Sequence, residues 1–309
     1  MKKKSLFLTF LVSASIQVFA QQDALFSQYM FNMMLVNPAY TGSRDVISLN
    51  AMYRNQWVKV PGAPETMTFS ADAPLKNEKM GIGLTVFNDK IGIVNNTGFY
   101  GNYAYRIRLS NNSTLSMGVS AGMTNYRADL AGVRLNDEAG SAPDAAFSSN
   151  VNKILPNVGL GLFYSSDKFY AGLSLPHVLN NKVVADGGLT ARQYRHTFLM
   201  AGYVFDLNHN LKLKPSALVK QVSGAPIQMD LNANLWLYDK FGIGLSYRSL
   251  DAPVFMVEAQ ITDQLRFGYA FDYSLAIKPA NGYNRSSHEF MLRYEFGYDK
   301  GKVLTPRYF

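Results

Sequence analysis

The sequence predicts an all-β fold, a transmembrane antiparallel outer-membrane β-barrel of about fourteen strands in an up-and-down meander. Three observations predict it. Apolar and polar residues alternate with period 2 in one stretch after another, the connections alternate between tight and longer, and the polar face is mostly Gly, Ser, Thr and Asn with scattered charge. The composition agrees: 309 residues, 48% hydrophobic and only 17% charged, with 20 Phe, 19 Tyr and 24 Gly, are too apolar and aromatic for a disordered chain. There is no cysteine, which removes disulfide scaffolds, thiolate zinc sites, iron–sulfur clusters and cysteine nucleophiles.

Residues 1–20 read as a secretory signal: Lys2, Lys3 and Lys4, an apolar core from Leu6 to Val12, and a cleavage site at Val18-Phe19-Ala20. The apolar run is shorter than the roughly 20 residues a spanning helix needs. Removing the segment with its three lysines takes the formal charge from +8 to +5. The basic residues that remain are scattered, which excludes nucleic acid as an expected partner.

Residues 21–44 form an arm outside the strand pattern, rich in Met and aromatics (Phe26, Tyr29, Met30, Phe31, Met33, Met34, Tyr40) and uncharged from Ala24 to Ser43. Two readings stand: a plug folded into the lumen, or a periplasmic contact segment, since such a cluster does not stay bare in water. The barrel follows over 45–296, and 297–309 is a tail.

Strands are predicted near 47–56, 66–73, 79–88, 97–109, 114–125, 156–165, 168–175, 195–207, 211–222, 227–238, 240–248, 253–262, 265–273 and 288–296. Residues 227–238 show the alternation most clearly, with Ile227, Met229, Leu231, Ala233, Leu235 and Leu237 facing one way and Gln228, Asp230, Asn232, Asn234, Trp236 and Tyr238 the other. Lengths of eight to thirteen suit tilted membrane strands, which need about 9 to 11 residues. Tight turns are expected at 74–78, 110–113, 166–167, 208–210, 239 and 263–264. The other connections are 57–65, 89–96, 126–155, 176–194, 223–226, 249–252 and 274–287. This plan puts both chain ends on the short-turn side, which in such barrels is periplasmic.

The inferred lumen face carries Arg54, Arg106, Arg108, Lys212, Lys214, Lys220, Arg248, Arg266 and Arg293 against Asp72, Asp206, Asp230, Glu258, Asp272, Glu289 and Glu295. Near-balance suits cross-lumen ion pairs filling the barrel better than a strongly selective pore. Gly118-Val119-Ser120-Ala121-Gly122 matches the G-x-S-x-G string of serine hydrolases but lies mid-strand, without the strand-to-helix elbow that chemistry needs. His177, His196, His209 and His288 are dispersed, and no catalytic or metal site and no cofactor is expected. Gly-x-Gly at 81–83, 159–161 and 242–244 precedes no helix, so phosphate binding fails; the glycines relieve crowding in a curved sheet.

Ser27-Gln28-Tyr29-Met30-Phe31-Asn32, Asn37-Pro38-Ala39-Tyr40-Thr41-Gly42, Arg54-Asn55-Gln56-Trp57, Gly62-Ala63-Pro64 before Ser70-Ala71-Asp72-Ala73-Pro74-Leu75, Asn88-Asp89-Lys90-Ile91-Gly92 and Pro306-Arg307-Tyr308-Phe309 resemble the PorP/SprF family, from about residue 22 to the end. Met33-Met34, where the family often has Pro and an aliphatic residue, and Thr41, where Ala is common, depart from it. The resemblance implies an outer-membrane component of the type IX secretion system of Bacteroidota, tied to gliding motility in some members. It implies association with a PorK/PorN-like periplasmic ring and a peptidoglycan-binding lipoprotein, or delivery of adhesins bearing a type B C-terminal sorting domain. No catalytic residues come with it. Residues expected to meet a partner are Gln28, Tyr29, Met30, Asn32, Asn37, Pro38, Ala39, Tyr40, Gly42 and Trp57. The alternative function is a general outer-membrane porin.

Overall fold

Strands with one apolar and one polar face need two different surroundings, and here a closed wall supplies them. The computed structural model describes residues 26–75, 78–131, 149–184, 190–249, 253–273 and 286–297. The expected signal segment, the middle of the 126–155 connection and the tail beyond residue 297 lie outside the described residues.

The wall begins with β1 (Ile47–Asn55), β2 (Glu65–Pro74), β3 (Met80–Ile91), β4 (Val94–Ser110), β5 (Ser113–Ala128), β6 (Val151–Ser166) and β7 (Phe169–Leu175). A small separate hairpin, β8 (Lys182–Val184) and β9 (Thr190–Arg192), follows, then β10 (His196–Tyr203) and β11 (Phe205–Asn208). The wall finishes with β12 (Leu211–Val222), β13 (Gln228–Leu237), β14 (Phe241–Arg248), β15 (Pro253–Gln260), β16 (Leu265–Tyr273) and β17 (Ser286–Phe296). Each strand pairs antiparallel with its neighbours, and β1 closes on β17 from Ile47↔Phe296 to Asn55↔His288. Val204 interrupts β10 from β11, which otherwise continue as one strand against β12. Pro215, with no N–H to give to a ladder, stands at this break, between the pairs Gly202↔Ser216 and Phe205↔Leu213. Counted so, the wall has the fourteen predicted strands.

Local chemistry sets the turns. Tyr238 (φ 52°) and Asp239 (φ 57°) both take left-handed backbone between Leu237 and Lys240, the two-residue turn whose twist matches paired strands. Two connections differ from expectation: β5 and β6 run on into 126–155, pairing as far as Ala128↔Val151, and 89–96 is not a loop. Gly92 (φ 56°) and Ile93 turn the chain within two residues, and Ile91 pairs with Val94. The polar run there belongs to the strands, where Asn88 Nδ2 donates to Asn95 Oδ1 at 2.6 Å. With β5 and β6, β4 makes a tall sector of 17, 16 and 16 residues, more than a membrane crossing requires.

Outward positions are apolar and open: Leu245 is 56% exposed and Val257 49%, while lumen-facing Ser246 and Glu258 are buried. Water would penalise so wide an apolar surface, whereas lipid would not. Aromatic pairs Tyr203–Phe205 and Tyr294–Phe296, each with ring centroids 4.6 Å apart, border the short-turn end. The lumen charges pair along the wall rather than across it. Arg54 meets Glu289 of the next strand at 2.9 Å and Asp272 one strand further at 2.7 Å, Arg248 meets Asp230 at 3.0 Å, and Arg266 meets Glu258 at 2.6 Å. The middle of the lumen is taken by the arm, and neighbouring strands are near enough to bridge directly.

Candidate functional site

The arm enters from the short-turn end and runs through the lumen as three short 3₁₀ turns, Tyr29–Phe31, Met33–Leu35 and Pro38–Tyr40. Pro38 presets the first residue of the last turn, Asn37 Oδ1 accepts from the Ala39 N–H at 3.0 Å, and Thr41 Oγ1 donates to the Pro38 carbonyl at 2.8 Å. Short turns satisfy part of the backbone internally, and the wall must supply the rest.

At the short-turn end Gly42, in left-handed backbone (φ 71°), donates its N–H to Asp72 Oδ2 at 2.8 Å, and its carbonyl accepts from Arg106 at 2.9 Å. Arg106 also reaches Asp45 at 2.7 Å, and Arg44 pairs with Glu295. Burial works against the Arg44 charge, but Glu295 overrides it and holds the guanidinium above its ordinary pKa. Deeper in, Asn37 Nδ2 donates to the Leu162 carbonyl at 2.9 Å, Ser174 Oγ to the Val36 carbonyl at 2.6 Å, and Asn32 Nδ2 to Ser70 Oγ at 2.8 Å. Arg293 donates to the Phe31 carbonyl at 3.1 Å, and Asn232 Nδ2 to the Tyr29 hydroxyl at 2.8 Å. Towards the long-loop end one carboxylate, Glu289, accepts both the Ser27 and Gln28 N–H groups at 2.8 Å. Ser27 Oγ donates to Asp272 and accepts from Arg54. Hydrogen bonds to charged groups contribute about 1.5–3 kcal/mol each, so the arm is held at both ends by the strongest contacts available.

Glycines make the bed. A Cβ on Gly81 would lie 2.2 Å from the Thr41 carbonyl oxygen, one on Gly118 2.2 Å from the Ala39 nitrogen, and one on Gly161 2.0 Å from Asn37 Oδ1. These lumen glycines thus do more than relieve curvature: arm backbone lies directly on strand backbone. Phe31 against Trp236 and Tyr40 against Phe163, both edge to face, complete the packing.

Of the ten residues expected to meet a partner, Gln28, Tyr29, Met30, Asn32, Asn37, Pro38, Ala39, Tyr40 and Gly42 are buried inside the barrel, and their contacts are with its own wall. Trp57 stands apart, half-buried at the long-loop rim, its backbone N–H donating to Ser287 Oγ at 3.2 Å.

The family described as type IX secretion system membrane protein PorP/SprF matches residues 18–294. The chain belongs to the PorP/SprF family. No curated protein matches it. Among solved structures, the chain is similar to the CymD monoaromatic hydrocarbon channel at 13% identity and TM-score 0.51, over 88% of this chain and 93% of that one. It is also similar to a Pseudomonas aeruginosa FadL homologue at 14% identity and TM-score 0.50, over 87% and 94%. At such identities the likeness shows the fold alone, that of an outer-membrane barrel.

The strings that carry the PorP/SprF resemblance meet in space. Arg54 holds Ser27, Ser70 accepts from Asn32, and Asp72 accepts from Gly42, so four separate strings form one interface between plug and wall.

Above the plug, in the long-loop half, the lumen widens to a cavity of about 430 Å³. Phe26, Tyr29, Met34 and Leu35 of the arm line it, opposite residues of β2 to β6 and β10. Ser120 also lines it and lies within β5, so the hydrolase-like string is continuous strand. Of the histidines, His177 lines the cavity, His196 is buried at the start of β10, His209 lies exposed in a turn, and His288 Nδ1 is 2.7 Å from the Tyr269 hydroxyl. Among the described residues no group of three potential ligands could hold a metal ion. Sequence reasoning placed the cavity wall on the lumen face but not the cavity, because periodicity gives a side chain's direction and not the space left beside the plug.

Proposed function

We propose that this chain works in the type IX secretion system as a plugged outer-membrane anchor and docking protein, supporting secretion or surface attachment of cargo. The observation that carries the reading is the plug. Its backbone rests on wall glycines and its ends are tied by Glu289 and Asp72, so the lumen is occupied by the chain itself rather than kept as a passage. Family membership supplies the secretion machinery as the setting.

On this reading the short-turn rim faces the periplasm and meets a PorK/PorN-like ring and a peptidoglycan-binding lipoprotein. The longer connections, including 126–155 and 176–194, face outward and meet adhesins with type B C-terminal sorting domains, such as those of gliding cells. The nine buried arm residues act by keeping the barrel shut, and Trp57 belongs to the outer rim. The chain is no enzyme.

The test is quantitative mass spectrometry of secreted and surface-shaved proteins in a deletion strain against its complemented parent. Loss of many C-terminal-domain cargos together marks a core secretion component, and loss of one or a few large adhesins marks a cargo-specific partner. An unchanged profile rejects the secretion reading and puts a general porin first.

A further inference from the structure

Lumen cations gather on one side of the wall, apart from Arg106 on β4, which pairs with Asp45 at the short-turn end. The wall's buried cations, Arg54, Lys214, Lys220, Arg248, Arg266 and Arg293, all stand on β1 or β12 to β17. The cavity on the opposite side has no Lys or Arg among its described lining residues, and its one carboxylate, Asp89, already accepts from Thr66 Oγ1 at 2.7 Å. An anionic ligand would find nothing there to balance its charge.

The rings of this wall lie flat on it. A Cβ on Gly98 would come within 2.2 Å of the Phe87 ring, and one on Gly122 within 2.7 Å of the Tyr100 ring, so each ring is laid across the glycine of the next strand. Their planes are within 12° of parallel with centroids 6.2 Å apart, and Phe87 is half-buried. A ring flat on a wall turns its electron-rich face to the cavity, where polarised C–H groups stack. Beside the rings are uncharged donors and acceptors. Asn102 Nδ2 meets Thr85 Oγ1 at 3.3 Å, and the Tyr100 hydroxyl meets Thr124 Oγ1 at 2.9 Å. The Asn102 amide and the Thr85 hydroxyl have more hydrogen-bonding capacity than their mutual contact uses. A purely apolar ligand would leave that capacity unused.

We propose that this cavity binds a short neutral saccharide, with one sugar face stacked on Phe87 and its hydroxyls hydrogen-bonded to the side chains of Thr85 and Asn102. Its volume is in the range of small-molecule sites, about 300–1,000 Å³. The proposal does not depend on the secretion reading.

The test uses the full-length mature barrel in a detergent without a sugar headgroup. Saturation-transfer NMR is recorded with maltotriose and chitotriose as neutral probes, trigalacturonate as the anionic counterpart and triphenylalanine as a peptide. The expected result is saturation of at least one neutral probe at its ring protons, weakened at least about tenfold, or roughly 1.4 kcal/mol, by Phe87→Ala and by Asn102→Ala. Outward-facing Val86→Ala should leave it unchanged. Heat-modifiable mobility on gels establishes that each variant is folded, and Thr85→Val, which preserves shape, replaces any that is not. No saturation of either neutral probe, a preference for trigalacturonate or triphenylalanine, or binding indifferent to the folded wall variants would each overturn the proposal.

Discussion

Gly118 is lumen-facing, and a methyl group there would sit 2.2 Å from Ala39 N and 2.4 Å from its Cα, atoms of a backbone pinned on both sides. Gly101, also in the wall, would give the same methyl group only one neighbour within 4 Å, a carbonyl oxygen at 3.9 Å. The two therefore separate glycine as plug bed from glycine as ordinary strand residue. Gly118→Ala should cost about 1–3 kcal/mol through overpacking and loosen the arm, whereas Gly101→Ala should be near neutral. Urea unfolding in lipid vesicles measures the first effect, and protease cutting within residues 26–41 the second. Equal behaviour of the two variants would remove the bed from the account. The Gly-x-Gly recurrence was plain in the sequence, but the reason for Gly81 and Gly161 was not, because the atoms that forbid a side chain there belong to the arm, dozens of residues away, whereas at Gly242 and Gly244 they belong to neighbouring strands.

Strands were the legible elements. Period 2 located every wall strand, since a two-faced wall must put unlike residues on alternate positions. Polar residues misled at 89–96, where Asn and Asp crown tall strands instead of making a loop. For the arm, composition said that it must be covered but not by what; the contacts answer with the lumen. The wall's ladders close among the strands themselves, β1 on β17, with no arm residue in any ladder. Deleting residues 26–41 should therefore leave a barrel that inserts and runs as heat-modifiable, yet conducts ions in planar bilayers where the intact protein gives little current. With six buried wall cations facing six buried carboxylates (Asp72, Asp89, Asp230, Glu258, Asp272 and Glu289), the open form should discriminate little between anions and cations. Equal currents from both proteins would mean that the arm does not shut the lumen, and the porin reading would gain.

At the scale of the molecule, the two ends of the barrel differ in kind, and the proposed roles depend on which end faces out. β17 finishes at the short-turn end beside the start of β1, but the arm crosses the lumen, so Phe26 lies among residues of the long-loop half. The plug thus reaches towards the same side as the cavity and the longer connections, which places any surface ligand against the arm as well as the wall. Orientation is open to a clean measurement because the chain has no cysteine of its own. Ser223, in the β12–β13 connection, and Asp263, in the β15–β16 turn, are both exposed and lie at opposite ends. In intact cells a membrane-impermeant maleimide should label Ser223→Cys and spare Asp263→Cys, and permeabilising the outer membrane should make the two equal. The reverse pattern would turn the barrel over, putting the cavity and its longer connections in the periplasm with the machinery and the short turns outside with the cargo.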